Sequence, residues 1–324
     1  MNFAHLVPAL FLRLATIILI TLMAIPAHAQ YPEKPIRLVV QFPAGGIVDL
    51  LGRTIAQNLS KSLGQPVIVE NKPGADGILA CDAVAKAPPD GYTLLLGNMA
   101  LVPILHKAPP FDSQTAFTPI ALAGEFVAAF VAYPGVPVKT MKELIEYVRA
   151  NPGKIAYAAG SRTAQFATEE LMSITKMDMV NIPYKGDVQA IPDLLTGQVQ
   201  FMFANAVNLI APHVKDGKLR ALATIQGARS PLLPDTPTMA ELGIPNVSIT
   251  SWVAIFGPAN LPKDIAERLS REVNAILKRP EVRDQMAKNG IALRESTPDE
   301  LGRFVKEQTV IARKLALKLG LKPE

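Results

Sequence analysis

The chain of 324 residues is 49% hydrophobic and 19% charged, which excludes intrinsic disorder and leaves room for two domains or one large one. Its single cysteine, Cys81, excludes an intramolecular disulfide, so stability must come from an ordinary apolar core. The net charge of +5 is spread out with no Lys/Arg run, which argues against nucleic acid as a partner and mildly favours anionic ligands.

The first thirty residues differ from the rest. Arg13 precedes the apolar run Leu14 to Ile25, and Ala27-His28-Ala29 follows as a small-residue cleavage site. Residues 1–29 therefore read as a cleaved signal peptide that places the product in the periplasm. A membrane anchor is the competing reading, but the run is short against the roughly 20 apolar residues of a transmembrane helix.

Beyond Tyr31 the chain alternates strands and helices. Ile36 to Val40 is β-branched and strand-like, Val48 to Leu63 is helical and Gly64 ends it; Pro66 to Glu70 is a second strand, Ile78 to Lys86 a helix and Tyr92 to Gly97 a third strand. This alternation predicts a parallel sheet wrapped by helices, with ligand-binding loops at the carboxyl ends of the strands. Phe117 to Tyr133 reads as one long strand leaving the first domain. A second βα series follows: helix Met141 to Ala150, strand Ile155 to Ala158, helix Ala164 to Thr175, a strand at Val180, a helix through Leu195, strand Val199 to Ala204, a helix near Ile210 to Lys215, and strand Leu219 to Thr224. Ser248 to Gly257 is a second apolar crossing, and helices Lys263 to Lys278, Pro280 to Asn289 and Pro298 to Leu319 return to the first domain.

The fold class is thus α/β, with two lobes that are each a mainly parallel sheet flanked by helices, joined by two crossing segments. Residues 30–131 and 253–324 form domain 1 and residues 132–252 form domain 2. An exported, disulfide-free pair of such lobes has the plan of a type II-like periplasmic binding protein, which closes like a hinge on its ligand.

The turn Phe42-Pro43-Ala44-Gly45-Gly46 joins the first strand to the first helix. Glycines let a ligand approach the backbone, and the free N–H groups of a helix start attract a carboxylate or phosphate. The turn lacks Gly-Lys-Ser/Thr and the spaced third glycine of nucleotide-binding loops. Asp49, in the first helical turn, can bond free N–H groups.

Five motifs in order, Tyr31-Pro32-x-Lys34-Pro35-Ile36-Arg37, Phe42-Pro43-Ala44-Gly45-Gly46, Val69-Glu70-Asn71-Lys72-Pro73-Gly74-Ala75, Pro89-Asp90-Gly91-Tyr92-Thr93-Leu94-Leu95 and Pro183-Tyr184-Lys185-Gly186, resemble the tripartite tricarboxylate transporter receptor family, the Bug-type proteins. The resemblance implies a receptor that binds a small carboxylate between its lobes and hands it to the membrane permease subunits of a tripartite transporter. The ligand would be a mono- or dicarboxylate, an aromatic acid or an amino acid, and the protein a monomer without cofactor or metal.

Carried over from the family, the ligand contacts fall on Phe42, Ala44, Gly45, Gly46, Val48 and Asp49, then on Asn98, Met99 and Ala100, and across the cleft on Ser161, Arg162, Thr163, Phe166, Tyr184, Lys185, Gly186, Asp187 and Asn205. Ile47-Val48 removes a hydroxyl donor common after the double glycine. Arg162, read as a loop residue, could take a carboxylate bidentately, contributing about 1.5–3 kcal/mol per charge-assisted bond. Phe166 would supply an apolar wall, and Asp187 would repel a second carboxylate, pair an amine, or neutralise Arg162.

His106 and His213 read as structural histidines and Cys81 as a buried helix residue. No metal-ligand spacing and no Gly-x-Ser-x-Gly elbow are present. An exported hydrolase using Ser161 or Cys81 lacks a sequence-evident base. A ligand-sensing subunit for a membrane kinase is the remaining alternative to transport.

Overall fold

Strand β1, Ile36–Val40, is buried along its length except at Arg37, as expected of an aliphatic strand inside a sheet covered on both faces. The structure is a computed structural model that describes residues 31–98, 110–112, 115–225, 229–245, 247 and 251–318. The signal-peptide segment, Met99, Ala100 and His106 lie outside the described residues.

Helix α1, Ile47–Leu63, turns Val48, Leu51, Ile55 and Leu59 inward at spacings of three and four, and Gly64 ends it at φ +71°. β2 (Val67–Asn71), α2 (Ile78–Ala85) and β3 (Thr93–Gly97) complete the first βα series, with β1 parallel to both β2 and β3. β4 (Phe117–Phe126), β10 (Trp252–Pro258) and β11 (Ile291–Leu293) extend the sheet to the order β11-β4-β10-β3-β1-β2.

The second sheet, ordered β7-β6-β8-β5-β9, is built from β5 (Ala129–Ala132), β6 (Ala156–Ala159), β7 (Val180–Pro183), β8 (Phe201–Ala204) and β9 (Arg220–Thr224). Its helices are α3 (Met141–Ala150), α4 (Arg162–Thr175), α5 (Asp187–Thr196) and α6 (Val207–Lys215). Among the described strands of each sheet most run one way: β10 and β11 oppose the rest in the first sheet, and β5 alone does so in the second. β5 and β10 are the strands by which the chain arrives from the other sheet, so each enters against the direction its βα units impose.

The segment Phe117 to Tyr133, expected as one crossing strand, is two strands in different sheets. β4 ends at Phe126 and β5 starts at Ala129, so the crossing is Val127–Ala128. Ala129–Val131, assigned from sequence to the first domain, lie in β5, which hydrogen-bonds to β8 and β9 of the second sheet. An uninterrupted apolar run carries no mark of where it changes partner, because both ends are equally buried. The two crossings lie side by side: the Phe126 N–H donates to the Ser251 carbonyl at 2.8 Å and the Val127 N–H to the Gly290 carbonyl at 2.8 Å.

α7 (Lys263–Leu277), α8 (Pro280–Ala287) and α9 (Pro298–Lys318) close the chain, with α7 and α9 packed on β4 and α7 also against α1. The first sheet's core gathers Val39, Cys81, Leu95, Phe117, Trp252 and Phe256. The second is centred on Phe130, stacked on Phe201 at 5.7 Å and edge-on to Phe203 at 5.0 Å. Both sheets belong to one compact unit that begins at Lys34. Among the described residues, no helix is long and apolar enough to cross a membrane.

Candidate functional site

At the carboxyl end of β1 the chain turns through Phe42 to Gly46 into α1. Gly45 sits at φ +79°, a conformation that disfavours any residue with a Cβ. Its N–H donates to Asp49 Oδ2 at 2.9 Å, and the same oxygen takes the Arg53 Nε–H at 2.9 Å. Asp49 Oδ1 receives Asn71 Nδ2 at 2.9 Å, and Asn71 Nδ2 also reaches the Phe42 carbonyl at 3.1 Å. The end of β2 and the first turn of α1 therefore clamp the loop from both sides. Burial pushes the Asp49 carboxyl up, but the bonds from Arg53, Gly45 and Asn71 outweigh it and hold its pKa below the ordinary value.

Asp49 thus shapes the loop from beneath, its side chain only 5% exposed, and Val48 is likewise buried. What the loop offers outward is backbone: Ala44, Gly45 and Gly46 are exposed, and Gly46 starts α1 without a side-chain cap. The first-turn N–H groups have no acceptor within the helix and lie at its positive end.

Gln41 and Asn71 brace the candidate loops, and the sequence reading did not single them out as site residues. Gln41 is 7% exposed, and its side chain fills the space that a Cβ on Gly77 or on Gly97 would occupy. Its Oε1 accepts the Asn98 N–H at 2.8 Å, which fixes the start of the loop after β3. A polar residue after a strand and two distant glycines gave no local signal of this arrangement.

In the second sheet the carboxyl ends of β6, β7 and β8 bring Ser161, Gly186, Asp187 and Asn205 together. Ser161 caps α4, its Oγ accepting the Ala164 N–H at 3.1 Å. Arg162, expected in a loop, opens the first turn of α4 with Thr163 because that cap starts the helix two residues earlier than the apolar periodicity suggests. The Arg162 Nη1 donates to Gln165 Oε1 at 3.2 Å.

Asp187 Oδ2 accepts the main-chain N–H groups of Asn205 and Ala206 at 2.8 and 2.9 Å. It makes no ion pair with Arg162; it ties the loop after β8 to the start of α5. Burial pushes its carboxyl up to about 6, against the lowering effect of the Ala206 and Asn205 bonds.

Asn205 completes the cluster. Its Nδ2 donates to Ser161 Oγ at 3.3 Å, and its Oδ1 accepts the Ser251 hydroxyl. Ser251, immediately before β10, was not singled out from the sequence.

The remaining expected contacts differ in character. Phe166 is 1% exposed, so as the structure stands it packs inside its lobe and offers no open wall. The Tyr184 hydroxyl donates to Asp193 Oδ2 at 2.6 Å, and burial together with that carboxylate pushes its pKa up to about 12. Lys185 is exposed on the turn before Gly186. Away from the strand ends, a groove of about 300 Å³ runs beside α9 between Leu122, Arg294, Ser296 and Phe304; none of the expected ligand contacts lines it.

A profile of the tripartite tricarboxylate transporter family receptor matches residues 51–321. The chain belongs to the tripartite tricarboxylate transporter receptor family. Protein BugT of Bordetella pertussis strain Tohama I is 34% identical over 293 residues, covering 88% of this chain and 90% of BugT. Among solved structures, R. palustris Rpa4515 with adipate superposes with a TM-score of 0.82 at 29% identity, over 91% of this chain and 100% of that one. MatC from Rhodopseudomonas palustris with bound malate gives 0.77 at 29% identity, over 88% and 99%. The tripartite tricarboxylate transporter receptors and these neighbours share the two-lobed α/β fold, and they are ligand-binding receptors of the periplasmic binding-protein type. Three of the five motifs read from the sequence, at residues 69–75, 89–95 and 183–186, lie within the matched stretch.

Proposed function

We propose that this chain is a periplasmic, non-enzymatic receptor that captures a small organic carboxylate between lobes dividing at Val127–Ala128 and Ser251, and delivers it to the permease subunits of a tripartite transporter. The observation that supports the reading is a donor set at the strand ends of each sheet. One lobe presents the exposed backbone of Ala44 and Gly46 and the α1 start, with the Gly45 N–H held by Asp49 and the Phe42 carbonyl by Asn71. The other presents the start of α4 with Ser161 and Arg162. Neutral amides can hold a carboxylate directly or through ordered water, and Arg162 adds one positive charge. The adipate bound to Rpa4515 and the malate bound to MatC support the ligand class. Signal-peptide cleavage after Ala29 belongs to the same reading.

Hydrolytic chemistry has little to work with at the two residues considered for it. Ser161 Oγ is engaged as a helix cap. Cys81 is fully buried, and that burial pushes its thiol up to about 12, far from the thiolate a nucleophile needs.

The test is a thermal-shift screen of the mature chain from Gln30 against mono- and dicarboxylates, aromatic acids and amino acids. Binding to the folded state alone must raise the melting temperature by mass action. At least one acid is expected to do so; a flat response across the whole panel would overturn the proposal.

A further inference from the structure

Ser161 Oγ accepts two hydrogen bonds, from the Ala164 N–H at 3.1 Å and from Asn205 Nδ2 at 3.3 Å. A hydroxyl has two acceptor lone pairs and one proton. With both lone pairs engaged, the proton is left to point elsewhere, and Ser161 is exposed at the mouth of the strand ends. A hydroxyl in this state acts as a donor.

What makes it a donor is the orientation of Asn205. A side-chain amide can turn its carbonyl or its NH₂ toward a neighbour, and turning the carbonyl to Ser161 would draw the hydroxyl proton inward. In the structure the carbonyl faces Ser251 and the NH₂ faces Ser161. The Ser251 hydroxyl donates to Asn205 Oδ1, which leaves Nδ2 for Ser161. Ser251 is itself held at the hinge: its carbonyl takes the Phe126 N–H at 2.8 Å, and it is only 8% exposed. Asn205 is anchored separately through its own N–H to Asp187 Oδ2 at 2.8 Å.

We infer that Ser251 is a positioning residue whose hydroxyl, through Asn205, sets Ser161 as a hydrogen-bond donor to the anionic group of the ligand. The bonds all run one way, Ser251 O–H to Asn205 O, Asn205 N–H to Ser161 O, Ser161 O–H to ligand, and each polarises the next. The chain begins where the two crossings meet, so the donor strength of the second lobe depends on the hinge holding Ser251 in place. The inference rests on the carboxylate-receptor reading and adds to it which residues make the second lobe select anions.

The experiment titrates malate and adipate calorimetrically into the parent, Ser251→Ala, Ser251→Thr, Ser161→Ala and the double variant Ser161→Ala/Ser251→Ala. Loss of one hydrogen bond to a charged group corresponds to about a tenfold or greater fall in affinity. Ser251→Ala and Ser161→Ala are each expected to show that fall, Ser251→Thr to restore the parent value, and the double variant to match Ser161→Ala alone. Parent affinity in Ser251→Ala, or an equal further loss in the Ser161→Ala background, overturns the inference. A ligand-free arm follows the Asn205 side-chain amide resonances. They are expected to shift in Ser251→Ala and to return in Ser251→Thr; unchanged resonances overturn the relay. Should the parent bind neither acid, the receptor reading for these acids falls, while the resonances still decide the relay.

Discussion

Asp187 lies so close over Gly160 that a Cβ on Gly160 would sit 2.8 Å from the Asp187 main-chain nitrogen and 2.9 Å from the carbonyl carbon of Gly186. Both of those neighbours are backbone, which cannot rotate aside as a side chain would. Gly160→Ala should push the end of β6 away from the start of α5 and destabilise the protein by about 1–3 kcal/mol. Urea denaturation monitored by circular dichroism measures this. An unchanged midpoint would mean that the two loops are free to separate.

The clamp on the first-lobe loop yields a comparison between two partners. Asp49 is buried and takes bonds from Gly45, Arg53 and Asn71, so Asp49→Ala removes three bonds that hold the loop at once. Its expected cost is about 1–3 kcal/mol. Arg53, 57% exposed on its side chain, is screened by solvent, and Arg53→Ala should cost less than about 1 kcal/mol. Equal losses in the two variants would show that the ion pair, not the amide bonds, holds the loop.

Asp187 predicts a pH dependence with a definite sign. Its ordinary value of 3.8 is raised to about 6 in the folded protein, so between those values the native state holds a proton that the unfolded chain has released. Stability then falls as pH rises through that window. Asp187→Asn stays neutral and keeps an oxygen for the Asn205 and Ala206 N–H groups. The melting temperature of the variant minus that of the parent should therefore climb from about pH 4 to about pH 6 and level off above it. A difference that is flat across the window would contradict the assignment.

Arg162 stands at the start of α4 and donates to Gln165 Oε1 at 3.2 Å. If its guanidinium grips a ligand carboxylate, Arg162→Ala should weaken binding at least about tenfold, equivalent to about 1.4 kcal/mol. Arg162→Lys should recover only part of this, because an ammonium cannot form the bidentate fork. Calorimetry with whichever acid gives the largest thermal shift measures both. Parent affinity in the alanine variant would assign Arg162 to the surface.

Local structure was largely legible in the amino-acid order. Buried aliphatic runs marked β1 and β3, and Gly64, at φ +71°, marked where α1 stops. These features are decided within a few residues, by side-chain shape and by which residue tolerates a left-handed conformation. The five spaced motifs carried the family for the same reason, since each is a short run with its own turn chemistry.

Which polar group meets which was decided only by the tertiary structure. Asn98 meets Gln41 across 57 residues, Ser251 meets Asn205 across 46, and Asn205 meets Asp187 across 18. Asp49 was read as able to bond free N–H groups and takes that of Gly45, whereas the partners of Asp187, the Asn205 and Ala206 N–H groups, had no sign in the sequence. A buried carboxylate must find donors wherever the fold brings them, and strand register, not sequence distance, sets where that is. The same reason hid the change of sheet at Val127–Ala128. The amino-acid sequence by itself determined the elements, their order and the family; the packing of strand ends against one another determined which side chains build the site and which are left to face a ligand.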